Sequence, residues 1–334
     1  ATLECSSHAL VLERLAGCTF DVALFLNLSH EHLDFHVGMD DYFEAKARLF
    51  GLLKPEGKAV VNLGDEYGRR LTSRLDAERT VGFLLEGEEG AEQTRPAALA
   101  AVIGRATLGL AGTRLEVEVH APFTLKENLP FTINSPLLGR PNAENLLAAA
   151  AAGIVLGFSP SEIASSLSAV TVVPGRLERI ENSRGLTILV DYAHKPAALE
   201  GVLRTVRPLA AAGGGRVHVV FGCGGDRDKA KRPVMGRIAA ELADDVVVTS
   251  DNPRSEKPDT IISEILGGIP AGADVATVAD RRAAIAEALR RARPGDVVLV
   301  AGKGHETEQV IAGVAHPFDD RAVLRELLAG EAGR

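Results

Sequence analysis

The stretch RVHVVFGCGGDRD, residues 216–228, decides the fold of this chain. Its first six residues, rich in valine and ending in phenylalanine, predict a β-strand. The glycine-rich segment 222–228 follows at once, and a helix is predicted over 233–243. Such a loop lets the backbone approach an anion at a helix N-terminus. The glycine spacing is not G-x-G-x-x-G, so the signal for a dinucleotide is weak.

Strands and helices alternate on both sides of this stretch. Strands are predicted at 187–190, 245–249, around 275 and at 297–301, and helices at 196–206, 260–266, 281–292 and 319–328. This alternation predicts an α/β fold with a parallel sheet covered on both faces. Two chain breakers, Pro174 and Gly175, interrupt the pattern. We therefore expect two domains, residues 1–174 and 175–334.

The first half of the chain shows a mixed pattern. Strands are predicted at 22–26 and 58–63, a hairpin over 105–119, and helices over 40–53 and 141–156. Asp40 or Asp41 is expected to cap the first of these helices. The segment Ser159-Pro160-Ser161-Glu162 predicts a capping box.

Composition excludes several classes of protein. The chain has 334 residues and a formal net charge of 37 − 45 = −8, which disfavours nucleic acid as a partner. No apolar run reaches the ~18 residues of a membrane helix, so no membrane association is expected. Three scattered cysteines fit neither a disulfide framework nor a zinc site. A cytoplasmic location is therefore expected.

Charged side chains follow three strands of the predicted sheet. Arg227, Arg254 and Glu306 lie just beyond the strands that end near 221, 249 and 301. Ligands in open α/β sheets bind at the carboxyl ends of strands. Two guanidinium groups and a carboxylate suit a zwitterionic amino acid, although ion pairing among the three is the simpler reading for each residue alone. In the first half, the loop 27–36 carries three histidines and two acids, which could bind a metal or could be a solvated loop.

At these motifs the sequence resembles the Mur ligase family of peptidoglycan synthesis, over nearly the whole chain. The matching segments are 3–10, 27–36, 42–50, 139–145, 173–176, 190–196, 222–232, 251–254 and 302–306. The resemblance implies a Mur ligase central domain with a mixed sheet, followed by a Rossmann-like C-terminal domain. It also implies an ATP-dependent amide ligase, in which a carboxylate is activated as an acyl phosphate and then attacked by an amine.

Within the family, the segment Asp251-Asn252-Pro253-Arg254 is similar to that of members that add meso-diaminopimelate to UDP-N-acetylmuramoyl-L-alanyl-D-glutamate (UDP-MurNAc-dipeptide). The distal end of meso-diaminopimelate bears an amine and a carboxylate. Lysine lacks that carboxylate and would leave Arg254 without a partner.

The resemblance also implies site residues. ATP would contact Asn142, Asn145, Arg176, Asp191 and His194. Mg²⁺ would be held by Glu4, His32 and a carbamylated Lys46, of which His32 and Lys46 are also candidate catalytic residues. The UDP precursor would contact Ser6 and Arg14. The amino acid would contact Arg227, Asp251, Asn252, Pro253, Arg254, Gly302 and Glu306.

One departure from the family pattern is large. The family binds ATP phosphates with a glycine-rich loop ending in Gly-Lys-Thr, and these 334 residues contain no such loop. We therefore expect an incomplete chain with little ligase activity by itself. A monomer is expected.

Three alternatives remain open at this stage. A lysine-adding or folylpolyglutamate-synthetase-like ligase is disfavoured by the 251–254 segment. A nicotinamide-dependent oxidoreductase would use the 222–228 loop, with Asp251 as the acid after the next strand. A binding remnant without ATP chemistry would retain only the amino-acid site.

Overall fold

The structure is a computed structural model that describes residues 1–29, 35–87, 99–120 and 130–332. It divides into two compact units, Ala1–Thr171 and Val172–Arg334.

The first unit is built on a six-stranded sheet. Its strands lie in chain order: the first four run parallel, and the fifth runs antiparallel to both of its neighbours. They are β1 (Phe20–Phe25), β2 (Leu53–Asn62), β3 (Thr80–Leu85), β4 (Ala100–Gly109), β5 (Gly112–His120) and β6 (Phe131–Ser135). The predicted hairpin is therefore confirmed as β4–β5.

Five α-helices accompany this sheet within the described residues: α1 (Ser7–Val11), α2 (Met39–Ala47), α3 (Glu66–Thr72), α4 (Arg140–Val155) and α5 (Pro160–Ser168). Alanine and leucine side chains of α4 form the main core with residues of β2 to β6, because one face of the helix is almost wholly apolar. The capping box predicted at Ser159 is present at the start of α5.

One helix start differs from the prediction. The N-cap of α2 is Gly38, and no side chain caps it, so the expected cap at Asp40 or Asp41 is wrong. Both carboxylates lie in the first turn instead, where their negative charges interact favourably with the positive end of the helix dipole. The predicted helix also ends as an α-helix at Ala47 and continues as a 3₁₀-helix over Arg48–Leu52.

The second unit carries a six-stranded sheet of order β11-β10-β9-β12-β8-β7, in which only β7 is antiparallel. The strands are β7 (Glu178–Ile180), β8 (Thr187–Asp191), β9 (Val217–Phe221), β10 (Asp245–Val248), β11 (Val275–Thr277) and β12 (Val297–Ala301). A separate hairpin pairs β13 (Glu308–Ile311) with β14 (Val314–Pro317).

The helices of this unit are α6 (Pro196–Ala212), α7 (Lys231–Leu242), α8 (Pro258–Leu266), α9 (Arg281–Arg291) and α10 (Asp320–Ala332). Every residue of β8, β9, β10 and β12 is buried. Because successive side chains of a strand point to opposite faces, both faces of this sheet are covered, as the alternation predicted. Helix α6 runs beyond the predicted end at Val206 and through Pro208 to Ala212.

Candidate functional site

Three loops leave neighbouring strands of the second unit at the same edge of the sheet. They follow β9 (222–228), β10 (249–254) and β12 (302–306), and we call them together the strand-end site. The backbone N–H of Gly225 donates to Asn252 O at 2.9 Å. The side-chain Nδ2 of Asn252 donates to Glu306 Oε2 at 2.8 Å. The structure therefore joins the three loops through Asn252.

Both predicted arginines lie beside Gly224. A Cβ atom at Gly224 would meet Arg254 Nη1 at 2.8 Å and Arg227 Cγ at 3.9 Å, so a larger residue there would displace the guanidinium of Arg254. Arg254 adopts a left-handed φ of +51°, and its Nη1 donates to Gly225 O at 2.8 Å. The exposed Arg227 donates to the carbonyl of its neighbour Asp226.

Neither guanidinium is neutralised by a carboxylate. Across the described parts of the chain, no Asp or Glu forms an ion pair with Arg227 or Arg254. The simpler reading, in which the strand-end charges pair among themselves, is therefore wrong for both arginines. Two neighbouring cations that form no ion pair within the described residues favour an anionic ligand, although the charge of Arg254 also acts on Glu306.

Within the described residues, one oxygen of the Glu306 carboxylate accepts hydrogen bonds and the other accepts none. Its Oε2 accepts hydrogen bonds from Asn252 Nδ2 and from Lys303 Nζ, each at 2.8 Å. Burial alone would raise the pKa of Glu306, but these two hydrogen bonds and the positive charges of Lys303 and Arg254 hold it below its ordinary value. Glu306 therefore stays ionised at neutral pH, as binding of an ammonium group requires.

Asp251 contributes a buried carboxylate to the same edge. Its Oδ1 accepts from the backbone N–H of Asn252 at 2.7 Å, whereas Oδ2 has no hydrogen-bond partner among the described residues. Gly302 has a φ of +117°, and a Cβ there would lie 2.7 Å from Asp251 Oδ2. An unsatisfied buried acceptor is costly, so this oxygen is expected to receive a donor from a water molecule or a ligand.

Pro253 also lies at the site. Its carbonyl oxygen is so close to Gly225 that a residue with a Cβ atom would not fit at position 225.

The nucleotide-binding candidates of this unit are Asp191 at the end of β8, His194 just after it, and Arg176 just before β7. Asp191 is buried, with Oδ2 accepting from Leu177 N and Oδ1 from Ala193 N, each at 2.8 Å. Burial raises the pKa of Asp191, although the two hydrogen bonds oppose it. Burial lowers the pKa of His194, so that imidazole is neutral near pH 7. The guanidinium of Arg176 lies 5.5 Å over the ring of Tyr192.

This segment touches the strand-end site. The backbone N–H of Gly302 donates to Asp191 O at 3.1 Å, and Lys231 Nζ donates to His194 O at 2.7 Å.

In the first unit, Lys46 is half-buried on α2, and its Nζ donates to Cys5 O at 3.1 Å, one residue from Glu4. Glu4, Ser6 and Arg14 are exposed, and Ser6 caps α1. His32 lies outside the described residues. Over the described ranges, no group of three or more histidine, cysteine or acidic side chains could hold a metal.

Asn142 and Asn145 are both on α4. Asn142 is buried and donates from Nδ2 to Leu138 O at 2.8 Å, whereas Asn145 is exposed. Of the two, Asn145 is thus the residue accessible from solvent.

Two family models match the chain: "Mur ligase middle domain" over residues 1–153 and "Mur ligase, glutamate ligase domain" over residues 175–304. The chain belongs to the Mur ligase family. This confirms the fold class that the sequence motifs implied.

Relatives of the chain in this family carry more specific names. The UDP-N-acetylmuramoyl-L-alanyl-D-glutamate--2,6-diaminopimelate ligase of Geobacter metallireducens is 47% identical, over 97% of this chain and 65% of the relative. A solved structure with the same protein name is 36% identical, with a TM-score of 0.64, and covers 99% of this chain and 65% of its own. The chain thus spans slightly less than two thirds of these relatives' length.

The structure of MurF ligase from Thermotoga maritima in complex with ADP is 20% identical, with a TM-score of 0.67, over 98% of this chain and 66% of its own. At this identity the likeness shows a common Mur ligase fold. No helix in the described parts of the chain is long and apolar enough to cross a membrane.

Proposed function

We propose that this Mur ligase chain carries the catalytic and amino-acid-binding parts of an ATP-dependent ligase that adds meso-diaminopimelate to UDP-MurNAc-dipeptide. The observation that carries the proposal is that Arg254 and Arg227 lie at one edge of the sheet with the ionised Glu306, the loops being joined through Asn252, and that neither arginine forms an ion pair within the described residues. The names of the relatives at 42–47% identity support the same substrate.

The roles within the strand-end site follow from charge. The planar guanidinium of Arg254 binds the distal carboxylate of meso-diaminopimelate, and Glu306 Oε1 accepts a hydrogen bond from the distal ammonium. Arg227 binds the second carboxylate. Asp251, Asn252, Pro253 and Gly302 shape the wall between these groups.

The reaction requires activation of a carboxylate. The γ-phosphoryl group of ATP passes to the side-chain carboxylate of D-glutamate, the amine of the incoming amino acid attacks the acyl carbon, and phosphate leaves. We propose that ATP contacts Asn142, Asn145, Arg176, Asp191 and His194. Mg²⁺, when bound, neutralises charge around the phosphoryl group.

The residues of the first unit fit that ion only after modification of Lys46. Glu4 supplies the oxygen that Mg²⁺ prefers, but an unmodified lysine amine is not a ligand. We propose that Lys46 is carbamylated and thereby presents a second carboxylate, with His32 as the third group. Ser6 and Arg14 are proposed to bind the UDP precursor. We further propose a cytoplasmic monomer with its domain boundary between residues 174 and 175.

The test is amino-acid-dependent release of phosphate by the natural protein, with ATP and UDP-MurNAc-dipeptide. We expect turnover with meso-diaminopimelate and at most about 1% of that kcat/KM with L-lysine, because lysine leaves Arg254 unpaired. Arg282→Lys, which alters an exposed arginine on α9, serves as the control variant: it should prefer meso-diaminopimelate to L-lysine as the unsubstituted protein does. Equal use of L-lysine would contradict the proposed substrate, and reduction of a nicotinamide cofactor without phosphate release would contradict the ligase itself.

A further inference from the structure

The side chain of Lys303 is completely buried beneath the strand-end site, although lysine is normally a surface residue. Its Nζ donates three hydrogen bonds, to Glu308 O at 2.6 Å, Glu306 Oε2 at 2.8 Å and Asn252 Oδ1 at 3.3 Å. An ammonium group has three donors, so every proton of Lys303 is used inside the protein. Its charge is therefore not a direct ligand for an amino acid.

The glycines on either side hold Lys303 in this inward position. Gly302 and Gly304 have φ values of +117° and +53°, which favour glycine. A Cβ at Gly304 would lie 2.7 Å from the Cβ of Tyr192. The loop is thus pressed against the segment after β8, and it cannot turn its lysine outward without breaking these contacts.

The hydrogen bonds of Lys303 fix which atoms remain for a ligand. Asn252 Oδ1 is occupied by Lys303 and by the backbone N–H of Val310, which donates at 2.9 Å. Glu306 Oε2 is occupied by Lys303 and Asn252. Glu306 Oε1 has no hydrogen bond within the described part of the chain, so it is the carboxylate oxygen that faces a substrate.

We propose that Lys303 is a positioning residue for the amino-acid substrate, acting through Glu306 and Asn252. This inference rests on the proposed function, because it takes meso-diaminopimelate as the ligand of Glu306. Lys303 keeps Glu306 ionised and turns Oε1 towards the substrate ammonium. It also locks Asn252, which joins the loop after β10 to the loop after β12.

The test replaces Lys303 by methionine, which has a similar length and no charge, in the full-length natural protein. We expect Lys303→Met to raise the KM for meso-diaminopimelate at least about tenfold, because a charge-assisted hydrogen bond to Glu306 is lost. The KM values for ATP and for UDP-MurNAc-dipeptide stay within about twofold, as does kcat. Lys257→Met, which alters an exposed lysine of the same unit, is the matched control and leaves all three KM values unchanged.

The pH profile separates positioning from a merely structural role. Without Lys303, its hydrogen bond and positive charge no longer counteract the effect of burial, so the pKa of Glu306 rises. The acidic limb of kcat/KM for meso-diaminopimelate then moves to higher pH, since the ionised carboxylate is needed for binding. A variant that only loosens the fold lowers activity without moving this limb.

Two results would overturn the inference: an unchanged KM for meso-diaminopimelate in Lys303→Met, or a raised KM with the acidic limb unmoved. Should the methionine variant fail to fold, Lys303→Gln carries the same test, because its amide can still donate to Glu308 O. Failure of the proposed function is distinguished by the unsubstituted protein, which would then not use meso-diaminopimelate at all.

Discussion

The two ends of the sheet in the second unit both concentrate charge, but they treat it differently. At the amino-terminal end, buried His218 lies between two carboxylates, with Nδ1 2.9 Å from Asp245 Oδ2 and Nε2 3.0 Å from Asp296 Oδ2. Arg291 Nη1 donates to Asp245 Oδ1 at 2.7 Å, and the backbone N–H groups of Arg216 and Arg293 donate to Asp296. Each of these charges has a partner within the protein.

At the carboxyl-terminal end, Lys303 and Glu306 pair with each other, but other groups lack a charged partner among the described residues. Asp251 Oδ2 accepts no hydrogen bond, and Arg227 and Arg254 bond only to carbonyl oxygens among the described residues. Buried charges with hydrogen-bond partners stabilise a single folded structure. Buried charges without partners are typical of sites where a ligand supplies the missing hydrogen bonds. The comparison indicates that the amino-terminal end serves stability and the carboxyl-terminal end serves binding.

The largest effect is expected from Arg254→Lys. An ammonium group cannot bind a carboxylate through two parallel hydrogen bonds as a guanidinium does. We expect kcat/KM for meso-diaminopimelate to fall about 100-fold, with the free energy of unfolding nearly unchanged. Steady-state kinetics and urea denaturation measure the two quantities. A loss of stability without a loss of kcat/KM would reverse the roles of the two ends.

The opposite pattern is expected from His218→Leu, which leaves two buried carboxylates without their shared partner. We expect the free energy of unfolding to fall by about 3 kcal/mol, and the KM for meso-diaminopimelate to stay the same. Urea denaturation near pH 7 measures the free energy of unfolding, and steady-state kinetics under conditions in which the variant is folded measure the KM. A raised KM would show that the amino-terminal end also shapes the site.

The pH dependence of stability sharpens the same contrast. Burial alone would lower the pKa of His218, but its hydrogen bonds to Asp245 and Asp296 raise that pKa above the ordinary value. A raised pKa means that the stabilisation is complete below about pH 6.5, the ordinary histidine value, and is lost as the pH rises through the folded-state pKa.

Urea denaturation should therefore show the free energy of unfolding falling as the pH is raised from 6.5 through that folded-state pKa. The decrease should be absent in His218→Leu. An equal decrease in both proteins would show that another group titrates.

The smallest effects come from one glycine at each end. Gly295 has a φ of +95° and ample space, so Gly295→Ala introduces only backbone strain of about 1 kcal/mol. Gly302→Ala introduces a similar backbone strain, and its new Cβ would also lie 2.7 Å from Asp251 Oδ2. We expect both variants to lose stability, measured by thermal unfolding, but only Gly302→Ala to raise the KM for meso-diaminopimelate. Equal KM values would show that Asp251 does not line the site.

The sequence predicted those parts of the second unit in which local pattern and tertiary structure agree. Apolar runs marked β8, β9, β10 and β12, and the residues after their ends include Arg227, Arg254 and Glu306. The hairpin β13–β14 was not predicted, because its strands are short and largely exposed and show no clear alternation. It nevertheless supplies Gln309, whose Nε2 donates to Asp251 O at 2.6 Å across 58 positions of sequence.

Long-range hydrogen bonds also explain why Lys303 was missed. A lysine between two glycines resembles a solvated loop, and only its contact with Asn252, 51 positions away, reveals its burial. The partnerless Asp251 Oδ2 is a similar case, since spacing in sequence cannot show which acceptors remain unsatisfied.

The most direct test of the account is a crystal structure of the full-length natural protein with meso-diaminopimelate bound. We predict its distal carboxylate on the guanidinium of Arg254 and its distal ammonium on Glu306 Oε1, each within hydrogen-bond distance. An amino acid bound away from the loops after β9, β10 and β12 would contradict the central claim, as would one whose ammonium contacts neither Glu306 nor Asp251.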